Sequence, residues 1–295
     1  MPRPRKKSSA DPIFLLGVKI NPLTEKKVLK IIEHFITVAQ GQFYLVTTNP
    51  EFIIQAQKDS HFRHILNQAS LSLADGIGIR AAAQYLKQPL LKIPPPLNIL
   101  ADLFYGLIYL PYCILFQQQK LTLIPQQLRG ADLTEKLMAQ AASKKWRVFL
   151  LGAAPGIAAQ TAKIWQKKYP GLKIVGTLAG DPQPEKDLIM RQKIKAQAKT
   201  IDLLLVAYGH PKQEKWIYRN LKHLPVKVAI GVGGTFDFVS GKQKRAPQSW
   251  QKHGLEWLWR LIHQPWRWRR QKDLLIFLLL IFREKWFPPQ NRAAF

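Results

Sequence analysis

Five short runs concentrate the residue types that could do chemistry: "TTNPE" (Thr47–Glu51), "DGIGI" (Asp75–Ile79), "GAAPG" (Gly152–Gly156), "GHPKQEKW" (Gly209–Trp216) and "GGTFDF" (Gly233–Phe238). Asp75 follows an apolar stretch directly, where a carboxylate can act as a base or bind a substrate hydroxyl. An Asp-Gly pair is equally at home in a turn or a helix cap. The two glycines of the "GAAPG" run stand between a strand and a helix, so backbone N–H groups and the positive helix end can receive a phosphate. Steric need at a strand-to-helix junction explains the same glycines. No Walker lysine follows and the spacing is not the dinucleotide fingerprint, which disfavours an ATPase or a nicotinamide enzyme. The chain has no His-Glu pair, no aspartate doublet and no histidine cluster, so neither a metal nor another cofactor is expected.

The elements that position these runs are legible as alternating strands and helices. Strand-like segments are Phe14–Ile20, Phe43–Asn49, Leu71–Asp75, Trp146–Gly152, Leu172–Gly180, Ile201–Gly209 and Val226–Gly234. Helical patterns fill most of the intervals, among them Thr24–Gln40, Pro50–Lys58, His61–Gln68 and Glu185–Lys199. Continuous Val/Ile/Leu strands separated by helices predict a mostly parallel, Rossmann-like sheet covered on both faces, an α/β fold. In such a sheet ligands bind outside the carboxyl ends of the strands, where all five runs fall.

Two stretches depart from the pattern. Leu97–Phe116 has about the length that spans a bilayer, but Asn98, Asp102 and Pro111 weaken it as a simple span. It reads as a hydrophobic insertion, about 94–124, that dips into or lies against a membrane, with a buried helix pair as the alternative. The stretch Gly254–Phe287 interleaves Trp and Arg beside a short apolar run, the composition of a segment at an anionic membrane surface. The expected organisation is a disordered basic tail (1–12), a catalytic α/β domain (13–253) and a C-terminal helical membrane-associating appendage (254–295).

Composition agrees. The chain has 295 residues, 47% of them hydrophobic, enough for a globular core. Lys and Arg outnumber Asp and Glu by 45 to 18, a formal charge of +27 that favours an anionic partner. A single cysteine, Cys113, excludes an intramolecular disulfide framework.

Taken together the runs resemble the WecG/TagA/CpsF family of bacterial glycosyltransferases. The resemblance is carried by Thr47–Ile79, "RGADL" (Arg129–Leu133), Arg147–Ala158, Tyr169–Gly180, Asp202–Ile217 and Gly231–Arg270, in family order. The Pro-Lys-Gln-Glu-Lys-Trp and Arg-Ala-Pro…Gly-Leu-Glu-Trp runs are its most specific parts. It implies transfer of N-acetylmannosamine, its uronic acid or glucose from a UDP-sugar to a lipid-diphosphate-linked sugar. The reaction would be inverting and metal-independent, performed by a peripheral protein on the cytoplasmic face of the membrane. Cell-wall teichoic acid and exopolysaccharide synthesis are the settings it implies.

Residue by residue, the resemblance implies Asp75 as base toward the acceptor 4-hydroxyl, with Thr47 and Asn49 beside it. Gln213 would contact the donor sugar or its diphosphate. Substrate contacts are also expected from Gly152, Gly209, Pro211, Lys212, Gly234, Phe236 and Asp237, and Arg260, Arg267 and Arg270 would close over the leaving diphosphate or bind lipid headgroups. The family's loop arginine aligns with Gln127 here, and Arg129 two residues on is the candidate substitute. Partners are then the UDP-sugar, the lipid-linked acceptor and an anionic membrane surface, with no nucleic acid; a homo-oligomer is left open. The rival of another class, a non-catalytic basic membrane or nucleic-acid-binding protein, leaves the strand-end runs without a purpose.

Overall fold

The computed structural model describes residues 11–89, 93–94, 96–116, 118–252, 256–263 and 268–287. The expected basic tail lies almost wholly outside the described residues. The chain opens on strands β1 (Ile13–Leu15) and β2 (Val18–Ile20), then helix α1 (Glu25–Thr37). Strand β3 (Phe43–Thr48), helices α2 (Pro50–Lys58) and α3 (Ser60–Gln68), strand β4 (Leu71–Ala74) and helix α4 (Ile77–Lys87) follow. Helix α5 (Leu97–Phe116) is the hydrophobic insertion, and α6 (Gly130–Lys144) leads back to the sheet. Strands and helices then alternate through β5 (Arg147–Gly152), α7 (Ile157–Lys168), β6 (Lys173–Leu178), α8 (Asp187–Gln197), β7 (Ile201–Ala207), α9 (Lys212–Asn220) and β8 (Val226–Gly231). Helices α10 (Thr235–Val239), α11 (Gln248–Lys252), α12 (Glu256–His263) and α13 (Trp268–Trp286) complete the described chain.

Strands β3 to β8 form a six-stranded, wholly parallel sheet in the order β4-β3-β8-β7-β5-β6. The long apolar runs are explained by burial on both faces. Every residue of β7 is buried, with Leu204 and Val206 in one core layer and Leu203 and Leu205 in the other. The first layer is closed by α2, α3, α4, α8, α9 and α13, the second by α1, α6, α7 and α10. The chain leaves β5 toward β6 on one side and leaves β7 toward β8 on the other, which opens a crevice between the carboxyl ends of β5 and β7.

The expected first strand, Phe14–Ile20, is instead an antiparallel hairpin of β1 and β2. Leu16 and Gly17, both at positive φ, make its turn, and period-two alternation cannot distinguish one strand from two joined so tightly.

The insertion is one helix, with Pro111 inside it. Among the described residues α5 is the helix long and apolar enough, by length and composition, to cross a membrane. Phe104, Ile108 and Phe116 are exposed on it, while Asp102, Gly106, Leu110 and Cys113 face inward. On α13, Phe277, Ile281 and Phe282 enter the core, whereas Leu275 and Leu279 face out. The backbone N–H of Leu16 donates to Glu284 Oε2 at 2.9 Å, tying α13 to the N-terminal hairpin.

Candidate active site

The carboxyl ends of β3 and β4 lie side by side, and the chemistry gathers there. Thr47 and Thr48 end β3, and Asn49 turns the chain into α2. The Asn49 Oδ1 accepts from the Phe52 N–H at 3.0 Å, a helix N-cap, with Pro50 at the first helical position. Beyond β4 the Asp75 N–H donates to the Thr48 carbonyl at 2.8 Å, extending the ladder by one bond. Gly76 then takes φ +120°, a backbone conformation that side chains resist, and releases the chain into α4.

Helix α6 aims its N-terminus at this point. The Leu128 N–H donates to the Ala74 carbonyl at 2.9 Å, and the Gly130 N–H donates to Asp75 Oδ2 at 3.4 Å. A side chain at position 130 would stand 3.3 Å from Thr47 Oγ1 and 3.7 Å from Asp75 Oδ2, so glycine lets the helix end reach both. The positive end of α6 thus faces the carboxylate.

Two arginines stand in its neighbourhood, each paired with another carboxylate. Arg129 lies 3.6 Å from Asp132 and 3.9 Å from Glu256. Arg245 donates to Asp132 Oδ1 at 2.6 Å. Burial works against its charge, but the Asp132 hydrogen bond and the fields of Asp132, Glu256 and Asp75 outweigh it and raise its pKa above the ordinary arginine value. A cavity of about 510 Å³ opens here, within the roughly 300–1,000 Å³ of small-ligand sites. Asn49, Asp75, Gln127, Arg129 and Glu256 line its polar end. Its other end is apolar and runs between α5 and α13.

The remaining predicted residues stand around the crevice. Gly152 pairs in register with Ala207, and a Cβ there would meet the Ala207 backbone at 2.7 Å. Gly209 takes φ +73°, and the His210–Pro211 peptide is cis. Lys212 stands at the start of α9, whereas Gln213 is turned inward and only 2% exposed. Gln213 accepts from the Gly233 N–H at 3.0 Å and donates to Glu214 Oε1 at 2.7 Å, so its amide braces the glycine turn beyond β8. Desolvation of the fully buried Glu214 pushes its pKa up to about 7.

Gly234 precedes α10, and Asp237 lies 3.9 Å from Lys242. Phe236 is fully buried, its ring edge-on to Trp165 at 6.0 Å, a core position that fixes α10 rather than a lining residue. Thus Asp75, Asn49 and Arg129 share one cavity, and Thr47 stands against Gly130 beside it without lining it. The β5–β7 crevice collects Gly152, Gly209, Pro211 and Lys212. Arg267 lies outside the described residues, as do the side chains of Arg260 and Arg270, whose backbones fall in α12 and α13.

Three residues escaped residue-level reading. Arg245 and Glu256 sit in the Arg-Ala-Pro and Gly-Leu-Glu-Trp runs, where their being polar within otherwise diagnostic stretches was the signal. Arg80 is 8% exposed and donates to the carbonyls of Leu121 and Ile124, both at 2.8 Å, which holds the return from α5 toward Gln127.

A carboxylate beside a helix N-terminus and an arginine, at the carboxyl edge of a doubly covered parallel sheet, is an arrangement suited to an α/β group-transfer enzyme. Comparison with known proteins makes that class a glycosyltransferase: the sequence matches the glycosyl transferase WecG/TagA/CpsF family over residues 13–105 and 114–291, and the chain belongs to this family. It is similar to a protein of Bacillus subtilis (strain 168), 30% identical over 264 residues, 89% of this chain and 86% of that one. It is also similar to one of Bacillus spizizenii (strain ATCC 23059 / NRRL B-14472 / W23), 29% identical over 242 residues, 82% and 79% of the two chains. Both relatives are named N-acetylglucosaminyldiphosphoundecaprenol N-acetyl-beta-D-mannosaminyltransferase.

Proposed function

We propose that this glycosyltransferase moves N-acetylmannosamine from a UDP-linked donor to the 4-hydroxyl of an N-acetylglucosamine carried on a lipid diphosphate, at the cytoplasmic face of the membrane. The observation that carries the reading is Asp75, held by the α6 N-terminus in a cavity whose polar end also contains Arg129. Asp75 takes the acceptor hydroxyl proton as that oxygen attacks the anomeric carbon. The bond from the anomeric carbon to the donor phosphate breaks, and UDP leaves with its electron pair. A single displacement inverts the anomeric centre. The proposal includes metal independence, with Arg245 and the C-terminal arginines offsetting charge on the departing diphosphate.

The β5–β7 crevice, where two glycines bring backbone N–H groups to the sheet edge, suits the nucleotide. Membrane association is supported by the exposed apolar residues of α5 and α13, including Ile108 and Leu279, together with the formal charge of +27. The test is UDP release by purified protein offered a panel of UDP-sugars and a short-chain lipid-diphosphate-GlcNAc acceptor. Turnover confined to UDP-N-acetylmannosamine supports the reading. Preference for UDP-glucose or the uronic acid donor replaces the donor and keeps the site, whereas no turnover with any donor overturns the proposal.

A further inference from the structure

The polar end of the cavity accounts for a sugar and a diphosphate, but the apolar end is left without an occupant. Its walls are built by Leu107, Leu110 and Ile114 of α5 and by Leu274, Phe277 and Leu278 of α13, with Ala81 and Ala82 of α4 between them. Small residues on α4 keep the floor open. The two walls are fastened to each other. Asp102 of α5 is 1% exposed and accepts from Lys285 Nζ at 2.7 Å, Tyr85 Oη at 2.5 Å and Trp286 Nε1 at 2.9 Å. Where α5 crosses α13, a Cβ on Gly106 would collide with the Phe282 ring, so glycine sets the close approach. Leu107 and Leu275, 46% and 66% exposed, stand at the outer rim beside the apolar outer faces of both helices. The family match omits residues 106–113, which lie within this wall.

We infer that the apolar half of the cavity binds the first isoprene units of the acceptor's lipid chain, so that this enzyme recognises a prenyl diphosphate by its hydrocarbon as well as by its head. The inference deepens the proposed function and rests on it for the acceptor's chemical class. Three observations select a prenyl chain over other occupants. The apolar walls are continuous with a polar end in which Arg129 stands among Asn49, Asp75 and Glu256, the rim opens where the helices present an apolar outer surface, and two helices latched together leave a slot between them. A chain threaded from the membrane past Leu107 would bring its diphosphate to Arg129 and its sugar to Asp75.

The test uses farnesyl diphosphate and inorganic diphosphate as probes, measured by calorimetry on the full chain, with no donor present. Farnesyl diphosphate is expected to bind at least about tenfold more tightly than diphosphate. Leu278→Trp, which fills the slot, is expected to weaken farnesyl diphosphate at least about tenfold and leave diphosphate within about twofold. Leu107→Glu at the tolerant rim serves the same purpose should the tryptophan disturb folding. Leu279→Glu, on the outer face of α13, is expected to lower binding to anionic phospholipid vesicles and leave farnesyl diphosphate binding unchanged. Equal binding of the two probes, or equal losses from Leu107→Glu and Leu279→Glu, overturns the inference. Because no sugar is transferred, failure of the donor panel and failure of this binding experiment are read separately.

Discussion

Replacing Glu214 with glutamine isolates a single buried proton. Glu214 is fully buried in α9, its Oε1 taken by Gln213, and its pKa rises from 4.5 to about 7 because desolvation outweighs that hydrogen bond. Between those values the unfolded chain releases the proton while the folded one keeps it, so the folded state loses stability as pH rises through the window and levels off above about 7. At about 1.4 kcal/mol per pKa unit the loss totals about 3 kcal/mol. Glu214→Gln does not titrate, so its stability relative to the native chain should climb by that amount from about pH 4.5 to 8, on the order of 5 °C in Tm. The new amide N–H₂ would add a buried donor at a cost of about 1–3 kcal/mol. That cost shifts the whole curve and leaves its slope alone, and other titrating groups cancel in the difference. Denaturant unfolding of both proteins across this range is the assay. Parallel stability curves would refute the argument, since Glu214 would then be ionised alike in both states.

Asp75→Asn should lower turnover about a hundred- to ten-thousand-fold while the melting profile stays native, as loss of a general base does; steady-state UDP release checks it. Turnover in excess chelator should equal turnover in added magnesium or manganese, which the same assay reads directly. Simultaneous Arg260→Ala, Arg267→Ala and Arg270→Ala should cost about tenfold or more in turnover on a soluble acceptor in detergent. Point changes are needed there because α13 places Phe277, Ile281 and Phe282 in the core, and truncation would unseat it. Gly106→Ala should destabilise the protein by about 1–3 kcal/mol through overpacking against Phe282, measurable by thermal unfolding.

What the sequence made legible was whatever is local. Unbroken apolar runs such as Ile201–Ala207 announce a buried strand by composition, and polar residues crowding at their ends mark the sheet edge that carries the site. Asp75 stood at a recognisable strand end, but the role expected of it came from the resemblance rather than from its own neighbours. Long-range partnerships were not visible in that way. Nothing near Arg245 in sequence reveals Asp132, and nothing near Gln213 reveals that its amide turns inward to the Gly233 N–H. Phe236 was chosen by its position in a motif, yet it fills the core, a role fixed by three-dimensional neighbours, whereas Asn49 both caps a helix and lines the cavity. Asp102 looked like a blemish in an apolar helix until Lys285 supplied its partner.

That partnership also has a direction in time. Lys285 follows Asp102 by 183 residues, and at about 5–20 residues per second a ribosome adds that length in roughly ten to forty seconds. Throughout that interval α5 has been made while the cation that neutralises it has not, and a lone carboxylate is costly to carry into hydrocarbon. The unpaired acid therefore opposes early burial of the newly made helix in a bilayer. Arrival of α13 supplies the missing counter-charge and joins the two walls, so the pairing that neutralises Asp102 and the closure of the cavity wall depend on the same late-made helix.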